Sequence, residues 1–416
     1  MNILIRPLRR ILRFSERYTK TDMVYLARSG FWVNLASISV SLFSFVLYLA
    51  FAHFLPKEVY GTYQYLLSVS VLIGGLTLTG MNAAVTRSVA RGEEGSVRES
   101  VLLQLRYGVL PCTGALLLAL YYSIQGNQTL GLGLVLIAFF VPFNNALNTY
   151  SALPAGKGDF KWAFLLNLLS NTLYYPALIV AAFFSSTALI LFAVSLISQC
   201  LGLSFAYQLA KKRYRPNSIS DPETISYGKH LSVMGLLSTI ANQADAILAF
   251  HFLGAGPLAI YSFATAIPDR LGNLTKFIQT AAFPKLANKS MSETRLSIGP
   301  RFMWAVLAAI CMSILYAIFA RIFFALFFPA YIESVPYSIA YAFIIVPSLS
   351  AIFITALTAQ RSVRSLYIFN VVIPIAQLLA VTIGVIFWGL WGLIWARLVH
   401  AVIQLVVSAW LFFKGD

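Results

Sequence analysis

Six ionisable residues lie inside otherwise apolar runs: Asp245, Asp269, Arg270, Lys276, Arg397 and His400. A charge in such surroundings is costly unless it faces a partner or a hydrated cavity. Helical spacing groups these residues with neutral polar neighbours. Ser238, Asn242 and Asp245 share one face, as do Arg397, His400, Gln404 and Ser408. Ser262, Thr265, Asp269, Asn273, Lys276 and Thr280 form a third stripe if a helix continues through Pro268, and Asn34, Ser37, Ser41, Ser44 and Tyr48 form a fourth. Such stripes are expected to converge on a hydrated cavity. Their chemistry is recognition. Arg270 and Arg397, with Lys276, Asn242 and Gln404, suit an anionic cargo such as a phosphate group, which guanidinium grips with paired donors. Asp245, Asp269 and His400 fit either ion coupling or a structural ion pair with a neighbouring base. Counting Arg321 as well, the interior sums to +2, which predicts a cationic cavity. No catalytic triad, phosphate-cradling glycine loop or metal-ligand spacing is present, and Cys112, Cys200 and Cys311 are scattered in apolar runs. The expectation is therefore a protein without catalytic residues, metal or cofactor.

The elements that must position these groups follow from composition. Of 416 residues 59% are hydrophobic and only 11% charged, and the mean hydropathy is +0.79. An ordinary soluble domain carries about a quarter charged residues, so a soluble enzyme is excluded and a polytopic, all-α integral membrane protein is expected. Runs long enough to cross a bilayer lie at about 32–54, 63–83, 104–124, 130–152, 162–184 and 187–209. A second set lies at about 230–253, 258–283, 302–326, 336–358, 366–388 and 390–413. Pro268, Pro347 and Pro374 are expected kinks, and Gly74–Gly75 an expected hinge. No short apolar core with a small-residue cleavage site follows the basic N-terminus, so no cleaved signal peptide is expected.

The net charge of +16 would suggest nucleic acid in a soluble protein. Threaded through twelve spans, it becomes an orientation signal. One side collects 25 of the 30 basic residues, including Arg6, Arg98, Lys211, Arg213 and Lys414, while the opposite loops hold Lys57, Glu58 and Glu333. This asymmetry predicts a multi-pass protein of the cell inner (plasma) membrane with both termini cytoplasmic, and no nucleic-acid partner. Arg6, Arg9, Arg10, Arg13 and Arg17 oppose Leu4, Leu8, Ile11 and Leu12. Residues 1–30 thus read as a basic amphipathic cytoplasmic segment, either lying on anionic membrane lipids or serving only to set topology.

The two sets of spans repeat. At an offset of 198, His53, Phe54, Leu55 and Tyr63 meet His251, Phe252, Leu253 and Tyr261. At an offset of 203, Lys161, Asn167 and Lys211 meet Arg364, Asn370 and Lys414. His53 and His251 close equivalent spans, where a histidine either helps proton coupling or serves as an interfacial hydrogen-bonding group. Six spans per repeat give parallel halves: an N-lobe at 31–210, a basic cytoplasmic linker at 211–228 and a C-lobe at 229–416. Two such six-helix lobes around a midplane site are the architecture of an alternating-access carrier.

The pattern Phe54-Leu55 followed by Tyr60-Gly61 and Tyr63 resembles the polysaccharide-biosynthesis flippases of the O-antigen type, which carry lipid-linked oligosaccharide. So do Phe252-Leu253-Gly254, Ala259-Ile260-Tyr261, Ala264 to Pro268, and Phe283-Pro284-Lys285-Leu286. Through span count and loop pattern the resemblance covers nearly the whole chain. It implies a V-shaped pair of lobes opening alternately to either side. It also implies a polyprenyl-pyrophosphate-linked glycan as cargo, moved from the inner to the outer leaflet, with Arg270 and Arg397 as pyrophosphate contacts. Glycan polymerase or assembly proteins would be partners. The same superfamily contains multidrug and toxin exporters, which makes a cation-coupled drug or metabolite antiporter the alternative. It also contains peptidoglycan-precursor flippases; these usually carry two further C-terminal helices, and the twelve spans expected here point away from them.

Overall fold

The computed structural model describes residues 23–273, 291–359 and 363–414. Residues 1–22, which make up most of the basic N-terminal segment, Lys276 and the Phe283–Leu286 motif lie outside the described residues. Every regular element among the described residues is helical. Lipid offers no hydrogen bonds, so a spanning backbone must satisfy its own, and the apolar runs fold accordingly. In chain order the main helices are α1 (Met23–Phe54), α2 (Lys57–Gly75), α3 (Met81–Ala90), α4 (Ser96–Ile124), α5 (Gln128–Asn148), α6 (Phe160–Phe184) and α7 (Ala188–Tyr214). They continue with α8 (Pro222–Leu253), α9 (Ala255–Asn273), α10 (Met291–Phe327), α11 (Val335–Tyr341), α12 (Ser350–Ala359) and α13 (Val363–Lys414).

Among the described residues, nine helical segments are long and apolar enough to cross a membrane. The last of them, within α13, is 46 residues long. At about 1.5 Å per residue this is twice a bilayer core. Gly389, at φ +58°, breaks the run. A β-carbon on Gly384 would stand 2.5 Å from the carbonyl oxygen of Gly392, so the two arms fold back on each other as a hairpin. α2 and α9 are 19 residues each and more polar than the nine. They occupy equivalent places in the sequence repeat, directly after the His-Phe-Leu corners that end α1 and α8.

Two expected spans differ in detail. The run at 63–83 ends as α2 at Gly75; a turn with Leu78 at φ +61° follows, and α3 starts anew at Met81. Gly74–Gly75 is thus a helix end. The Gly74 carbonyl freed there accepts from Thr77 Oγ1 at 2.7 Å and from Asn145 Nδ2 at 3.0 Å. The run at 336–358 is no single helix but α11, 3-10 turns at Ala342–Ile345 and Pro347–Leu349, and then α12. Ser313 Oγ donates to the Ala342 carbonyl at 3.0 Å, and the Tyr316 and Ser338 hydroxyls meet at 2.6 Å, so polar groups in this stretch are paired. α9 runs through Pro268 and α13 through Pro374 without ending.

The chain divides into two compact units. The first takes the chain up to Tyr48, Ile73–Ser185 and Leu189–Val233. Its core packs Met81, Val85 and Val89 of α3 against Tyr150, Leu153, Leu166 and Leu203. At the same end Glu94 pairs with Lys157 at 2.6 Å and receives the backbone N–H of Asn217 at 3.3 Å, tying the stretch after α7 to the α3–α4 turn. The second unit takes Leu49–Leu72, Ser186–Ala188 and the chain from Met234. Leu49–Leu72 therefore packs with the second unit, although the lobe boundaries drawn from sequence put it in the first. The reason is local. Phe263 stacks on Tyr331 at 3.7 Å between centroids, and Tyr60 lies 5.1 Å from Phe263. Lys57 reaches Glu333 at 3.1 Å. Gly61 lies so near the Ala255 backbone that a β-carbon would stand 1.8 Å from its carbonyl oxygen.

Gly61→Ala should therefore force α2 and α9 apart and destabilise the protein by about 2–3 kcal/mol. Gly30→Ala, with nothing within 4 Å of the added carbon, is the matched control. The measurement is thermal unfolding in detergent; equal midpoints for the two variants would contradict the close approach.

Candidate functional site

The polar stripes of α8, α9 and the second arm of α13 meet inside the second unit. There they line a cavity of about 380 Å³. Asn242 comes from α8, Asp269, Gly272 and Asn273 from α9, and Arg397, His400, Ala401 and Gln404 from α13. The broken stretch between α11 and α12 closes the wall with Tyr341, Ile344, Pro347, Ser348, Ser350 and Ala351. Irregular backbone at membrane depth is tolerated where it is buried in protein or lines a cavity, and here it does line one. The i, i+3, i+4, i+7 spacing of Arg397, His400, Ala401 and Gln404 aims all four to one side.

Two carboxylates organise the site. Asp245, 6% exposed, lies behind the wall. Its Oδ2 stands 3.6 Å from Arg397 Nε and accepts a 2.6 Å hydrogen bond from the Tyr261 hydroxyl. Of the two roles open to Asp245, the geometry is that of the ion pair. Asp269 accepts a 2.8 Å hydrogen bond from the Tyr341 hydroxyl. His400 is 8% exposed, and its Nε2 is buried with no hydrogen-bond partner among the described residues.

Five of the sequence-derived site residues thus line one cavity: Asn242, Asp269, Arg397, His400 and Gln404. Asp245 stands directly behind. Arg270 is partly buried and is not among the lining residues, and Lys276 lies outside the described residues. Arg321 is exposed on α10. The expectation of a cationic cavity counted Lys276, so the described residues carry only part of that sum. Among the described lining residues the charges are Arg397 and Asp269, and Arg397 is held by Asp245. The sum of +2 counted charges along the chain, and packing adds what the chain order does not show, that Asp245 is the partner of Arg397.

Several polar residues need no cavity. Ser37 and Ser44 donate to the carbonyls of Val33 and Val40 one turn back, and Ser262 and Thr265 to Leu258 and Tyr261. His53 Nδ1 meets the Leu49 carbonyl at 2.9 Å and His251 Nε2 the Tyr65 hydroxyl at 3.2 Å, both at helix ends. Sequence reasoning missed Tyr261 and Tyr341 as site members. Tyr261 carried a signal, its match to Tyr63 in the repeat. Tyr341 carried only a buried aromatic's need for a hydroxyl partner.

Helices arranged around such a cavity define a multi-pass membrane protein with a transporter fold. A family model described as "Polysaccharide biosynthesis protein" matches residues 26–290, and the chain belongs to that family. The solved structures it resembles include an inward-facing multidrug resistance MATE family transporter of the MOP superfamily. That likeness has a TM-score of 0.67 at 13% identity, over 90% of this chain and 94% of the other. The lipid II flippase MurJ in an inward closed conformation gives 0.66 at 13% identity, over 92% and 87%. A MOP superfamily transporter from Pyrococcus furiosus, described as having a binding pocket of reverse polarity, gives 0.59 at 17% identity, over 94% and 95%. No curated protein matches the chain.

Removing one partner of a buried ion pair strands the other. Asp245→Ala should cost about 3 kcal/mol of stability. Asp245→Asn, which can still accept from Tyr261, should cost less. Denaturant midpoints of the purified variants test this ordering; an unshifted Asp245→Ala midpoint would remove the pair from the account.

Proposed function

We propose that this chain is a flippase that moves a polyprenyl-pyrophosphate-linked oligosaccharide from the inner to the outer leaflet for surface polysaccharide biosynthesis. What carries the reading is membership of the polysaccharide biosynthesis family together with a polar cavity opened in an apolar helical unit. The polar head of the cargo passes along Asn242, Arg397 and Gln404, with Arg270 and Lys276 as further contacts, while the polyprenyl tail stays in lipid. Asp245, Asp269 and His400 hold these contacts in place or couple them to an ion. No covalent chemistry is performed. The basic loops orient the protein in the plasma (inner) membrane with both termini in the cytoplasm, and polymerase or assembly proteins receive the glycan on the far side. The lobes are those drawn from the repeat, 31–210 and 229–416, joined by the linker at 211–228. The name of the structurally similar lipid II flippase supports a lipid-linked cargo.

The rival is a cation-coupled multidrug or metabolite antiporter. The Asp269 carboxylate in the cavity and the likeness to multidrug transporters favour it. Deleting the gene separates the two. The flippase reading expects lipid-linked glycan to accumulate on the cytoplasmic leaflet, with surface glycan lost and drug tolerance unchanged. Arg270→Ala should reduce surface glycan at least tenfold at normal protein level. Intact surface glycan in the deletion strain would sink the proposal.

A further inference from the structure

The second unit's cavity has the chemistry of a site for neutral hydroxyl groups. A pyrophosphate site gathers cations that no other group claims. Here Arg397, the cation of the described lining, is held at 3.6 Å by Asp245. Sugar hydroxyls make the opposite demand, since each both donates and accepts. The walls offer both. Asn242 and Gln404 each carry two amide donors and an acceptor oxygen, and neither side chain makes a hydrogen bond among the described residues. Asp269 adds an acceptor, and His400 Nε2 is a ring nitrogen more than nine-tenths buried with no partner there. A volume of about 380 Å³ falls at the small end of ligand pockets.

We infer that this cavity receives the sugar portion of the cargo and that the pyrophosphate is gripped elsewhere on the chain. The inference rests on the flippase reading and divides its cargo between sites.

The test uses the full protein in lipid nanodiscs and two probes: the lipid-linked oligosaccharide purified from the producing cells, and bare undecaprenyl pyrophosphate. Asn242→Ala and Gln404→Ala remove no hydrogen bond seen among the described residues, so both should fold, with unchanged thermal midpoints as the control. Each is expected to weaken binding of the glycan-bearing lipid about tenfold and to leave the bare pyrophosphate lipid within twofold. Equal weakening of both probes, or none for the glycan lipid, overturns the assignment. A second measurement needs no variant: free oligosaccharide released from the lipid should bind the unmodified protein and resist displacement by inorganic pyrophosphate, and displacement overturns the assignment. Failure of the unmodified protein to bind either lipid would instead sink the flippase reading and this inference with it.

Discussion

A hydrocarbon core supplies no hydrogen bonds, and that constraint shows where described helices break. At two such breaks a side chain meets the backbone. Asn145 and Thr77 take up the carbonyl freed after α2. Ser313 serves the carbonyl of Ala342 in the broken stretch between α11 and α12. Gln377 donates to the Ala241 carbonyl of α8 at 2.9 Å, a polar tie inside the second unit. Such pairing is what allows the stretch between α11 and α12 to turn aside and form a cavity wall instead of an outer helix face.

The same constraint governs charge. An isolated carboxylate or guanidinium at this depth costs several kcal/mol. The second unit lowers that cost by placing its ions in one cluster, with Tyr261 and Tyr341 as hydroxyl donors to the two aspartates. The result is a cluster in which each of the two aspartates has a hydroxyl donor, while Asn242 and Gln404 on the cavity wall make no hydrogen bond among the described residues.

The fold was largely legible in the sequence because its signal is one-dimensional. Twenty apolar residues span a bilayer wherever they occur, and runs such as 162–184 and 230–253 fall within the helices α6 and α8. The faces of α8, α9 and α13 were legible for the same reason: helical spacing put Arg397, His400 and Gln404 on one side before any partner was known. What sequence could not supply was pairing across chain distance. Asp245 and Arg397 are far apart in the chain, and nothing local in either helix marks them as a pair. The break after α2 was half visible, since Gly74–Gly75 marks a weak point, but a hinge and a helix end look alike without Asn145.

The repeat sharpens the functional point. At the offset of 198 the corner residues are kept and Asn242 meets another polar residue, Ser44, yet Asp245 falls on Leu47. At the offset of 203 Arg397, His400 and Gln404 fall on Val194, Ile197 and Leu201. The two halves share a framework because helix packing makes the same demands of both. In the first unit Gln104 Nε2 donates to Thr149 Oγ1 at 3.0 Å, a neutral buried pairing, whereas the second unit buries the ion pair of Asp245 and Arg397. The likeness between the halves thus lies in the corner residues, and the difference in which polar groups each buries.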